Sequence, residues 1–179
     1  MAELLTSRVW LMQAVFATLA MVIIFFHLLP LSTLPARWPA PDLLICLVFA
    51  WGLRRPDYVP ILLLAIVMLL ADLLFHRPPG LLAMLVVLGS EYLHRRAGAL
   101  REASFVGEWL AVAIAVAAIT VFNRLILSIM GVDQAALGPI LIQMLMTIAA
   151  YPIVVLVSQT LLGVRKPAPS DSEGQGGFR

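Results

Sequence analysis

Apolar residues in this chain come in long unbroken runs, interrupted by short clusters of proline, glycine and charge. Neither the two-residue alternation of a half-buried strand nor the narrow stripe of a surface helix is present. Runs bounded in this way predict helices that are apolar on every side. They fall near 9–29, 41–53, 58–75, 80–93, 105–127 and 137–162, with no internal repeat. The second and fourth runs (DLLICLVFAWGL and GLLAMLVVLGSEYLH) give only about 20 Å of helix, short of a hydrocarbon core of about 30 Å. Such short spans are expected to be sheltered inside a bundle.

Composition turns this pattern into a class. The 179 residues are 62% hydrophobic and 12% charged, and mean hydropathy is +1.01, too little polar surface for a water-soluble domain. The expectation is an all-α integral membrane protein, one six-helix domain over 9–162. A short N-terminal segment (1–8) precedes it, and a Pro/Ser/Gly-rich, disordered tail (163–179) follows. The first run is longer than a signal-peptide core and has no small-x-small cleavage site, so it is expected to be retained.

Charge sets the orientation. With the N-terminus in the cytoplasm, the inner segments carry Arg8, Arg54, Arg55, Arg95, Arg96, Arg101, Arg165, Lys166 and Arg179, whereas the outer loops carry Arg37 and Arg77. Nine against two supports both termini inside. Trp10, Trp38, Trp51, Tyr58, Tyr92 and Trp109 fall near span ends, as an interfacial aromatic belt requires. Short loops leave no room for the clustered basic face that nucleic acid needs.

Polar residues within the apolar runs are the candidate chemistry. Asp72 lies about 21 Å along the third span and Arg124 about 24 Å beyond Glu108 in the fifth, at matching depth near the outer surface. An Asp72–Arg124 ion pair helped by Asn123 is the simplest reading, with His76 and Arg77 as rival partners for Asp72. A contact with a partner protein, or a site of proton or ligand handling, is the functional alternative for Asp72 and Arg124. Glu91 has Arg95 one turn on, and Glu108 occupies a first helical turn where the dipole favours it. Gln13, Gln143, Gln159 and Tyr151 are expected to hydrogen-bond between helices, and Pro139 and Pro152 to kink the last one. His27, His76 and His94 are isolated, and Cys46 is the single cysteine, so no metal or nucleophile spacing is present; the reading is non-enzymatic, without cofactor.

Over residues 38–96 the chain resembles the bacterial rod shape-determining MreD family. The resemblance rests on WPAPDLLICLVFAWGL, the RRPD turn, a span ending ADLL, a loop closing on PPG, and a span ending EYLHRR. Asp72, Leu73, Gly80 and Tyr92 match the family pattern, with Pro78 and Pro79 supplying its loop; bulky residues around Met68 replace the family's usual glycines. The resemblance implies a noncatalytic component of the cell-elongation complex in the bacterial inner membrane. Its implied partners are MreC first, then MreB, RodZ, RodA and a class B penicillin-binding protein. It also implies a fold similar to the substrate-binding subunits of energy-coupling factor vitamin transporters, which makes such a subunit the alternative function. The spacing of Ala14, Ala17 and Ala20 differs from the Ala-xxx-Ala docking pattern of those subunits.

Overall fold

The computed structural model describes residues 2–29, 39–98, 104–132, 134 and 136–164. Among them are six α-helices and no strand: α1 (Ala2–Leu28), α2 (Leu43–Arg54), α3 (Ile61–Leu74), α4 (Leu81–Arg95), α5 (Phe105–Ile129) and α6 (Leu137–Leu161). Each coincides with one apolar run of the sequence. Helix α1 begins at Ala2, so the segment before its apolar run is helical too. Val164 is buried against the core, which shortens the expected free tail at its start. Arg37, Trp38, Arg101, Arg165, Lys166 and Arg179 lie outside the described residues.

Three helical segments, Ser7–Leu28, Phe105–Ile129 and Leu137–Leu161, are long and apolar enough to cross a membrane. Large apolar residues such as Phe25, Phe26, Ile114, Leu145 and Ile153 face outward from them, as a surface solvated by lipid requires. The protein is a membrane protein on this evidence. Helices α2, α3 and α4 have 12, 14 and 15 residues, roughly 18–23 Å each.

The connections from α2 to α3, from α3 to α4 and from α5 to α6 are short, so those neighbours run antiparallel, and Gln13 of α1 reaches Asp57 in the α2–α3 turn. The starts of α1, α3 and α5 share one end of the bundle with the finishes of α2, α4 and α6, the near end below; the opposite end is the far end. Helix α2 is the hub, with ten of its twelve residues buried. It runs parallel to α6: the Asp42 amide donates to the Thr147 hydroxyl (2.9 Å) and the Trp51 indole to the Ser158 hydroxyl (3.1 Å). Trp51 is thus enclosed in the core, against the expectation of an interfacial ring, because a hydroxyl on α6 satisfies its N–H. Trp10 and Tyr92 do face outward. Helix α4 presents Met84, Leu88 and Tyr92 on its outer side and closes on α2 and α5 through Gly89. A Cβ at Gly89 would lie 3.0 Å from Cδ1 of Ile119 and 3.5 Å from Cζ of Phe49.

The two prolines of α6 act differently. Pro139 occupies the first turn, where a missing N–H costs nothing, so the expected kink has no cause there. Pro152 stands inside the helix and cannot donate to the carbonyl of Ile148. The Trp109 indole N–H of α5 donates to that carbonyl instead, at 2.9 Å.

Helix α3 ends in a Schellman arrangement: the His76 amide donates to Leu73 O (3.3 Å) and the Arg77 amide to Asp72 O (3.0 Å). His76 takes a left-handed φ of 54° to close it. A side chain in that region costs roughly 1–2 kcal/mol relative to glycine. His76→Gly should therefore raise the thermal midpoint of the purified protein; a fall would show that the imidazole contributes more than its backbone costs.

Candidate functional site

Polar chemistry concentrates in two places, one at each end of the bundle. At the near end, Arg54 finishes α2, Glu108 lies in the first turn of α5, and Tyr151 sits within α6. All three side chains are fully buried. Arg54 Nη1 lies 2.7 Å from Glu108 Oε1, and the Tyr151 hydroxyl donates to the same oxygen at 2.6 Å. Arg54 Nη1 also donates to Ala50 O (3.2 Å) and to the Tyr151 oxygen (3.4 Å), whereas its Nε makes no hydrogen bond.

The network ties α2, α5 and α6 together. Sequence reading assigned Arg54 to an inner loop, which is corrected because Arg54 ends α2 inside the bundle; Glu108 does lie in the first turn of its helix, as expected, and pairs with Arg54 in addition. The 2.6 Å O–H···O⁻ bond has the length of a charge-assisted hydrogen bond. Removing its donor with Tyr151→Phe should lower stability by about 1–3 kcal/mol, read as an earlier unfolding midpoint. An unchanged midpoint would mean that the Arg54–Glu108 pair stands without the hydroxyl.

At the far end the buried carboxylate of Asp72 closes the α3–α4 hairpin. Its Oδ2 accepts from the amides of Gly80 (3.2 Å) and Ala83 (3.1 Å), and its Oδ1 makes no hydrogen bond. Gly80 is the N-cap of α4 and has no side chain to cap with, so Asp72 supplies the missing acceptor from the preceding helix. The positive end of the α4 dipole offsets the unfavourable dipole at the C-terminus of α3. Gly80 has φ 86°, a conformation that lets its N–H and the first turn of α4 converge on one oxygen.

The expected Asp72–Arg124 ion pair is therefore not formed: backbone amides take the carboxylate, and Arg124 lines a cavity together with His76, Arg77 and Pro78. Arg124's own carbonyl accepts from the Gln134 side-chain amide (Nε2) at 3.1 Å. Of the remaining candidate residues, Pro78 lines that cavity. Leu73 and Tyr92 face outward, and the Arg96 guanidinium lies 4.7 Å over the Tyr92 ring.

The far-end cavity, about 380 Å³, lies among the start of α2, the α3–α4 loop, the second half of α5 and the first half of α6. Ile45, Leu82, Val116 and Ile119 supply apolar lining; Arg77, Asn123, Arg124 and Gln143 supply polar lining. Asp42, the N-cap of α2, accepts from the Ile45 amide through Oδ1 (3.2 Å) and holds Oδ2 3.8 Å from Arg77 Nη1. Sequence reading missed this cavity because Asp42, Arg77 and Gln143 belong to three segments that only the fold brings together.

The expected Glu91–Arg95 pair forms: Arg95 Nε donates to Glu91 Oε1 at 3.0 Å across one helical turn. Gln13, expected to bond to another helix, donates its side-chain amide to Asp57 O in the α2–α3 turn at 2.9 Å. Among the described residues no group of three or more His, Cys, Asp or Glu is close enough to hold a metal ion. No family model, curated protein or solved structure matches this chain.

Proposed function

We propose that the protein is a noncatalytic, MreD-like component of the bacterial cell-elongation complex, acting through protein–protein contacts in the inner membrane. The observation that carries this reading is the resemblance over 38–96, whose two polar landmarks, Asp72 and Gly80, are hydrogen-bonded to each other. Residues that the family pattern keeps together thus belong to one structural device here. Leu73 and Tyr92 of the same pattern face outward, which supports contact with a neighbour in the bilayer. In this reading all six helices span, with both termini cytoplasmic and the near end inside. The enclosure of α2 offsets its short length, since its neighbours and not lipid surround it. MreC is the first partner, with MreB, RodZ, RodA and a class B penicillin-binding protein in the same assembly.

Depletion in the organism that encodes the protein should round the cells and misplace lateral wall synthesis. Affinity purification of the tagged protein should recover an MreC-like chain. Normal rods after depletion would overturn the reading. The alternative, a vitamin-type substrate-binding subunit, is favoured by the far-end cavity; loss of uptake of one nutrient with normal cell shape would establish it instead. Cysteine-accessibility labelling should place 95–101 inside and 128–136 outside, and labelling of the tail from the periplasm would overturn the topology.

A further inference from the structure

We propose that the outer side of α4 seats an anionic phospholipid, its phosphate held by the Arg96 guanidinium beside the Tyr92 ring and an acyl chain lying on Leu88 and Met84. The inference needs only a membrane location and does not depend on the cell-elongation reading.

An apolar stripe, a phenol and a cation follow one another along that side of the helix. Met84, Leu88 and Tyr92 are 51%, 58% and 50% exposed, and Arg96, exposed as well, stands one turn beyond Tyr92. From Met84 to Arg96 the helix rises about 18 Å, close to the depth of one leaflet with its headgroups, roughly 20 Å. A phospholipid presents its groups in the same order: hydrocarbon, interface, phosphate. The phenol suits the middle level, because its ring is apolar and its hydroxyl is wet.

Arg96 is positioned without being neutralised. Its amide donates to Leu93 O at 3.2 Å and caps α4, and its guanidinium lies 4.7 Å over the Tyr92 ring. A stacked guanidinium uses its flat face and keeps the N–H groups of its edge for a phosphate. Less side-chain entropy is then lost on binding. Arg95 stands beside it, 78% exposed, with its Nε engaged by Glu91. The two arginines outweigh Glu91 by one charge, and the segment 99–103 that follows adds one of each sign, Arg101 and Glu102. Asp57 does not offset them: it shares a cleft with Glu91 and His94 that neither Tyr92 nor Arg96 lines. The carbonyls ending α4 disfavour an anion on the helix axis, so the phosphate is met at the side of the helix, where the guanidinium lies. Arg55, 5.9 Å over the Tyr58 ring, is the contrast at the same end of the bundle. The residues before it on α2 are buried, and no apolar stripe leads to it.

The test uses the full chain purified in a neutral maltoside detergent, with adducts read by native mass spectrometry and affinity by the titrated thermal midpoint. Dioleoyl phosphatidylglycerol, dioleoyl phosphatidylcholine and glycerol 3-phosphate are the probes. Saturable binding of phosphatidylglycerol is expected, with weaker binding of phosphatidylcholine and none of glycerol 3-phosphate, which has no acyl chain. Arg96→Gln should weaken phosphatidylglycerol binding roughly tenfold through loss of a charge-assisted hydrogen bond. Arg96→Lys, without a flat face to stack, and Tyr92→Leu should each weaken it severalfold. Arg55→Gln should leave it unchanged. Tyr92 and Arg96 are exposed, so the unliganded midpoints of their variants should stay near that of the unaltered protein. Equal binding of the two lipids, equal binding of glycerol 3-phosphate, or the same loss from Arg55→Gln as from Arg96→Gln would overturn the proposal. In native membranes, benzoylphenylalanine at position 88 should crosslink to lipid; a protein adduct would assign this face to a partner chain and overturn the proposal as well.

Discussion

Arg54→Gln and Glu108→Gln should each destabilise the protein by about 3–5 kcal/mol, because either change breaks a buried ion pair by removing one partner. Both partners are 1% exposed and 2.7 Å apart, so neither side chain can reach headgroup water without opening the bundle. The double variant should recover much of the loss, since two neutral amides can hydrogen-bond where one stranded charge cannot. Reversible unfolding of the four proteins in detergent gives the coupling energy directly. Additive losses would mean that the two groups are solvated separately and that the buried network is not the form present in the membrane. Tyr151 adds a second layer: with Glu108 replaced by Gln, Tyr151→Phe should cost less than in the unaltered chain, because the acceptor no longer carries charge.

The second large effect is expected at Asp72. Asp72→Ala removes the acceptor for one buried and one half-buried amide at the start of α4, and hydrogen bonds to a charged group contribute roughly 1.5–3 kcal/mol. A net loss of about 2–3 kcal/mol is expected, with the α3–α4 loop becoming the first site of proteolysis. Asp72→Asn keeps a carbonyl acceptor and should lose less. Asp72→Asn combined with Arg124→Gln should be additive, as two residues with separate partners require. Strong coupling between those two changes would restore the ion pair that the sequence suggests.

The contrast between the two sites shows what the chain discloses before it folds. Helix limits were legible because proline, glycine and charge bound the apolar runs; α6, expected over 137–162, spans Leu137–Leu161. Partners were not. In a helix apolar on every side, no hydrophobic period marks the inward face, so Arg54 reads as the first of two loop arginines although only Arg55 is partly exposed. Glu108 was hidden by the adequacy of a local account, the helix dipole. The one available signal was Tyr151, a phenol beside a helix-interrupting proline in the middle of an apolar run, which called for a buried partner. Asp72 stood out as unusual, but matching depth pointed to Arg124, because spacing along helices cannot show that a turn of Pro78, Pro79 and Gly80 aims two amides at the carboxylate.

The enclosure of α2 also imposes an order of assembly. Its polar contacts reach Glu108, Thr147, Tyr151 and Ser158, so about 100 residues must be synthesised after α2 before its surroundings are complete. At roughly 5–20 residues per second that interval is about 5–20 s. During the first half of it, until Glu108 is made, a helix of 12 residues ends in an arginine that lacks this partner, and until α6 follows, that helix lacks the hydroxyls of Thr147, Tyr151 and Ser158. A chain that stalls before α6 therefore offers a visible defect, and membrane proteases and insertases have seconds in which to distinguish it from one that will finish.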